Sequence, residues 1–164
     1  MKPTRYRLLA SLVAGGVMCA RPAAAQPPTP PPPPAQQAAA APAPRVFGTN
    51  TGVVLNFIKP DKTADFEAVV AKLKDALQKS ANAQRKEQAA SWKVYKSPDP
   101  GPGGSVLYVY IVDPVVKGAD YTVATILAEA FPAGELAALY KQYTEAYATG
   151  QNFVNLALVS DLGK

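Results

Sequence analysis

The chain has 164 residues, with 17 basic and 12 acidic side chains, one cysteine and no histidine. Without histidine, a Ser-His-Asp triad and His-ligated zinc, iron or haem are excluded, and with the single cysteine at position 19, thiol chemistry is excluded from everything that follows it. Lys2, Arg5, Arg7, Arg21 and Arg45 precede residue 46 while every acid follows residue 60, so residues 46–164 carry no net charge and offer no electrostatic footprint for nucleic acid.

Residues 1–25 read as a secretory signal peptide. Lys2, Arg5 and Arg7 form its positive end, and Leu8 to Cys19 is an apolar run of about a dozen residues, too short to span a bilayer. Ala23, Ala24 and Ala25 are small residues suited to cleavage, which is expected after Ala25. The product would be exported, to a periplasm or to the outside. Bulky Met18 directly before Cys19 is a poor match to a lipid-attachment site, so Cys19 is read as part of the discarded peptide. A membrane partner is expected only if Cys19 is lipidated or the signal is retained.

Residues 26–45 read as a disordered Pro/Ala-rich tether. From Gln26 to Pro44 there is no aromatic and no charged residue, so the segment cannot bury enough apolar surface to offset its ordering entropy. In polyproline II form, about 19 residues at roughly 3.1 Å each reach some 60 Å.

Residues 46–164 are expected to form a single α+β domain. Gly52 to Lys59 is a strand ended by Pro60 and Asp61. Phe66, Val69, Val70, Leu73 and Leu77 then make one helical stripe, with Asp61, Thr63 and Asp65 expected to cap its start. Ser80 to Ala90 is polar and Ala-rich, either helix extension or loop. Ser91 to Ser97 and Ser105 to Val112 read as a hairpin around the Pro/Gly-rich residues 98–104. That loop is no phosphate cradle, because it joins two strands rather than a strand and a helix. A second helical region begins near Ala119 and is broken at Pro132. Its later half, about Glu135 to Ala148, carries a row of Tyr140, Tyr143 and Tyr147 expected to pack on the sheet, with Gly150 as a C-terminal cap. Gln151 to Ser160 is the last strand.

The order is that of a ferredoxin-like βαββαβ fold: a four-stranded antiparallel sheet with helices on one face. The strands, however, are apolar on both faces. Leu107, Val109, Ile111, Val53, Leu55 and Phe57 are expected to face the helices. Tyr108, Tyr110, Asn56 and Asn155 are expected on the far face, which is too apolar to sit in water without cover.

The element order, the Lys59-Pro60-Asp61-Lys62 start of the first helix and the doubly apolar strands resemble the dimeric α+β barrel (ferredoxin-like) superfamily. The chain is similar also to small exported bacterial proteins to which no activity is assigned. The superfamily resemblance implies a homodimer in which two sheets pack face to face. It also implies that cofactor-free mono-oxygenase chemistry on aromatic compounds is conceivable.

Candidate pocket residues for a small apolar ligand on the far face are Asn56, Trp92, Tyr95, Tyr108, Tyr110 and Asn155, since apolar walls with a few hydrogen-bonding groups suit such a ligand. No catalytic residue, metal ligand or cofactor is expected. Asp61 and Asp113, each beside a proline, are read as turn residues. The sequence points to a non-enzymatic binding or interaction domain of the cell envelope, the alternative being a cofactor-free mono-oxygenase-like or isomerase-like enzyme using the sheet-face pocket.

Overall fold

The computed structural model describes residues 43–163, which lie within one compact unit. Residues 1–42, with the expected signal peptide, Cys19 and most of the expected tether, lie outside the described residues, as does Lys164. Eight main elements follow in order: β1 (Thr51–Ile58), α1 (Thr63–Lys79), α2 (Ala83–Ser91), β2 (Trp92–Pro100), β3 (Val106–Val112), α3 (Val123–Ala130), α4 (Ala133–Ala146) and β4 (Tyr147–Leu156). The strands form one antiparallel sheet in the order β2-β3-β1-β4. This is the ferredoxin-like arrangement, with each helical region divided in two.

The divisions have local causes. α1 ends at Lys79, and Asn82 restarts the helix by accepting a hydrogen bond from the Gln84 N–H at 2.9 Å, so the polar segment is helix α2. Pro132 takes the N-cap position of α4, where its missing N–H costs nothing, and the break falls where the sequence places it. Two expectations need correction. A 3-10 turn over Pro60–Lys62 leads into α1, and its N-cap residue, Lys62, makes no side-chain cap bond; of the acids expected to cap the start, only Asp65 lies in the first turn. α4 ends at Ala146, and Gly150 lies inside β4 rather than closing the helix. The last strand therefore starts four residues earlier than the sequence suggests, because Tyr147 already pairs with Ile58.

The helices cover one face of the sheet, and it is the face opposite to the one expected. In β1, Val54, Asn56 and Ile58 are buried; in β3, Tyr108, Tyr110 and Val112 are buried. Phe66 of α1 packs on the Tyr108 and Tyr110 rings, at centroid distances of 4.8 and 6.2 Å. The grouping by alternation holds, since Asn56 pairs with Tyr108 and Val54 with Tyr110. Only the side is inverted. Val53, Leu55, Phe57, Leu107, Val109 and Ile111 form the open face and are half-buried. Alternation fixes which residues share a face, but two apolar faces leave nothing in the strand to say which one the helices take.

Two tertiary devices complete the domain. Arg85 of α2, 6% exposed, donates twice to the Glu129 carboxylate at 2.6 and 2.9 Å and once to the Asp120 carbonyl at 2.6 Å, tying α2 to α3 and the segment before it. The chain before β1 crosses back over the domain. Arg45 donates its N–H to Asp120 Oδ1 at 2.8 Å and its carbonyl accepts from Tyr121 N–H at 2.8 Å. Phe47, buried, stacks on Phe153 at 3.9 Å and meets Tyr121 edge-on at 5.1 Å. Gly52 makes this possible, since a Cβ there would fall on the Phe47 ring. Among the described residues no helix is long and apolar enough to cross a membrane.

Candidate functional site

The inverted sheet places the aromatic and amide side chains under the helices, where they line a cavity of about 300 Å³ between the sheet, α3, α4 and the crossing segment before β1. Its inner wall is built from Tyr110 of β3, Trp92 of β2 and Tyr121, with Trp92 edge-on to both tyrosines at 5.6 and 5.4 Å. Tyr143 and Tyr147 of α4 and β4 form a second wall, and Phe153 a third. Tyr140, 49% exposed, and the exposed Arg45, Thr149 and Gly150 lie at the mouth.

One polar end of the cavity is fully engaged. Asn56, wholly buried, donates to the Val54 and Tyr108 carbonyls at 3.2 Å each, and its Oδ1 accepts from Tyr147 OH at 3.0 Å and Gln151 Nε2 at 2.7 Å. Gln151 Nε2 is also 2.7 Å from both the Tyr143 and Tyr147 hydroxyls. An amide nitrogen has two protons for these three acceptors, so a phenol must serve one of them. This network explains a buried Asn56, because every atom of its amide is satisfied.

Trp92 Nε1 and Tyr110 OH are buried out of reach of the cavity space, and neither has a hydrogen-bond partner within the protein. Leaving a buried polar group unpaired costs on the order of 1–3 kcal/mol, and native folds rarely do so. Burial pushes the phenols of Tyr110, Tyr143 and Tyr147 above their ordinary range, so each keeps its proton at neutral pH.

The cavity's one charged lining side chain is Arg45. Its backbone is fixed by Asp120, whose carboxylate also accepts from the Thr122 hydroxyl at 2.6 Å and the Thr122 N–H at 2.8 Å. Burial works against the charge on Asp120, but these hydrogen bonds outweigh it and hold the carboxyl below the ordinary range. The Arg45 guanidinium makes no ion pair or side-chain hydrogen bond among the described residues.

Of the residues singled out from sequence, the fold brings Trp92 and Tyr110 into this cavity, with Asn56 directly beneath it. Tyr108 lies outside, its hydroxyl donating to Glu67, which also accepts from Lys96 at 2.9 Å; both bonds hold the Glu67 carboxyl below its ordinary range, the phenol contributing most. Asn155 caps the crossing segment, its Oδ1 accepting from Gly48 N–H at 2.8 Å. Tyr95, 50% exposed, pairs with Val109 and belongs to the open face. Sequence reasoning missed Arg45, placed in the tether, and Tyr121 and Phe153. The signal was the end of the tether itself, where Arg45-Val46-Phe47 ends an uncharged, non-aromatic run. Among the described residues no cluster of three or more His, Cys, Asp or Glu side chains forms.

No protein-family model matches the chain, and no curated protein matches it. Among solved structures, the chain is similar to that of Rv0793 from Mycobacterium tuberculosis, with 13% identity over 68% of this chain and 96% of that one and a TM-score of 0.36. A likeness that distant carries no argument about the site.

Proposed function

We propose that the protein is an exported, non-enzymatic binding domain that takes a small organic ligand into the cavity between sheet and helices. The observation that carries this reading is an aromatic-walled cavity of about 300 Å³, lined by Trp92, Tyr110, Tyr121 and Phe153 with a few hydrogen-bonding groups beside them. At about 30 Å³ per water-sized group, that space suits about ten heavy atoms, one substituted ring. The signal-like leader, with Ala25 before the expected cleavage point, supports export.

Binding is favoured over catalysis by the proton inventory. The cavity lining holds no carboxylate, and its buried phenols are held protonated, so no group there is a general base near neutral pH.

The test is titration with monocyclic aromatic compounds, read by thermal shift and by emission of Trp92, the one tryptophan in the chain. Compounds that bind should raise the melting temperature and change the emission, and Ala124→Phe, which fills part of the cavity, should abolish both. A panel that changes neither signal refutes the reading.

The open face supports a homodimer like that of the dimeric α+β barrels, with a second copy of the chain as its cover. Four strands about 4.8 Å apart and about 27 Å long present roughly 500 Å², near the upper end of what monomers leave exposed. Its centre is aliphatic, and Leu158, Val159 and Leu162 beyond β4 are 84–98% exposed. Light scattering should give the dimer mass, reduced to the monomer by Val109→Lys; a monomer at about 100 μM for the unaltered chain refutes it.

A further inference from the structure

We infer that residues 157–162, beyond β4, are an arm that packs against a second copy of the chain, with Leu158 as its anchor on the open face of the sheet. This rests on the homodimer proposed above and specifies what completes its interface. Three observations carry it. The first is a strand that outgrows its neighbour. From Phe153 to Val159 the sequence keeps the apolar, partly β-branched character of a strand. Pairing nevertheless stops at Leu156, opposite Thr51, the first residue of β1. Nothing extends β1 backward, because residues 45–50 turn to the helix side. There the Arg45 carbonyl accepts from Tyr121 N–H, the Asn50 carbonyl accepts from Val115 N–H at 2.7 Å, and Phe47 stacks on Phe153. A sequence suited to a ladder is left beside no strand of its own copy, with backbone groups that a second chain can pair.

The second observation is continuity of the open face. Val53 of that face pairs with Val154, while buried Val54 pairs with Phe153. Val154 and Leu156 therefore stand on the open face, and by the same alternation Leu158 follows them while Val159 points away. Exposure rises along this row from 37% at Val154 to 42% at Leu156 and 84% at Leu158, so the apolar row runs off the end of the sheet instead of stopping with it. The third observation is area. At roughly 500 Å² per copy, two open faces bury about 1,000 Å² in all, short of the about 1,200–2,000 Å² of stable interfaces. Burying a leucine removes about 100 Å² of apolar surface from water. Leu158 and Leu162 are both exposed in the isolated chain. Covered in both copies, they add about 400 Å² and bring the total to about 1,400 Å².

The experiment measures the dimer dissociation constant of the full chain by sedimentation equilibrium, unaltered and as Leu158→Asp and Val159→Asp. Both substitutions fall on exposed positions, and melting curves establish that the variants fold. Leu158→Asp should raise the dissociation constant at least about 100-fold, since each dimer loses two buried leucines and gains two carboxylates in their place. Val159→Asp, on the other side of the same segment, should change it by less than about five-fold. Amide exchange is the second readout. Residues 157–160 should exchange at least about ten-fold more slowly in the dimer than in the Val109→Lys monomer. If Leu158→Asp dimerises as the unaltered chain does, or if exchange is equal in dimer and monomer, the arm is overturned and the homodimer stands. If Val159→Asp weakens the dimer as much as Leu158→Asp, Leu158 is overturned as the anchor. If the unaltered chain is a monomer at about 100 μM, arm and homodimer fall together.

Discussion

Replacing Tyr110 by Phe should make the ligand-free protein more stable, an unusual result for a change in the middle of a core. Tyr110 is 1% exposed and its hydroxyl has no partner within the protein. An unsatisfied buried hydroxyl costs on the order of 1–3 kcal/mol. Removing it leaves a void of about 10–15 Å³, which at about 24 cal/mol per Å³ returns only about 0.3 kcal/mol of that gain. The net stabilisation is therefore about 1–2 kcal/mol, equivalent to a rise of roughly 4–8 °C in melting temperature for a domain of this size. Tyr143→Phe is the control. Tyr143 is also buried, but its hydroxyl accepts from Gln151 at 2.7 Å, so its loss should destabilise by about 1 kcal/mol. Urea unfolding followed by Trp92 emission measures both on one scale. If Tyr110→Phe destabilises by more than about 0.5 kcal/mol, its hydroxyl is already satisfied in the folded protein and the reasoning fails.

Other consequences are as direct. Gly52→Ala should destabilise by about 2 kcal/mol or more, because the new methyl occupies the Phe47 ring position and displaces it from Phe153 and Tyr121; a change under about 0.5 kcal/mol in urea unfolding would show that the crossing segment is not part of the folded core. Arg85→Ala should cost about 1–2 kcal/mol, since it unpairs Gln88 Oε1 and Glu129, while the Asp120 carbonyl keeps its bond from Gln88 Nε2 at 3.1 Å; recovery with Arg85→Lys should be partial, because an ammonium cannot reproduce the two-point contact with Glu129. Stability should also fall in alkali. The buried phenols of Tyr110, Tyr143 and Tyr147 hold their protons above the pH at which the unfolded chain releases them, so the folded state binds more protons there. Their stability is complete below about pH 10 and declines above it, each phenol contributing up to about 1.4 kcal/mol per pH unit. Urea midpoints that stay level from pH 9 to 11 would contradict this burial.

How much of this was legible beforehand varies with the range of the interaction involved. Periodicity and proline placement announced α1, the break at Pro132 and the order of strands and helices, since these follow from contacts a few residues apart. The start of β4 was not legible: Tyr147 looks like the end of a helical row and joins the sheet only because Ile58 is there to pair with it. Composition and parity singled out Tyr110 for a pocket on the face away from the helices, with Trp92 or Tyr95 beside it, whereas Tyr110 and Trp92 lie on the helix side. Arg45 was not singled out, because its place depends on Asp120 and Thr122, more than seventy residues away.

The amino-acid sequence by itself determined the ferredoxin-like order, a charge-balanced domain and a chemistry without imidazole. It also determined that Asn56, Tyr108 and Tyr110 share a face, because strand alternation is a property of the backbone. Only the tertiary structure decided which face that is. Both faces are apolar enough to take the helices, and the choice went to the face whose Asn56 amide and phenols find partners on α1, α4 and β4. The same choice left Trp92 and Tyr110 with donors and no acceptor, and placed the aliphatic residues on the open side.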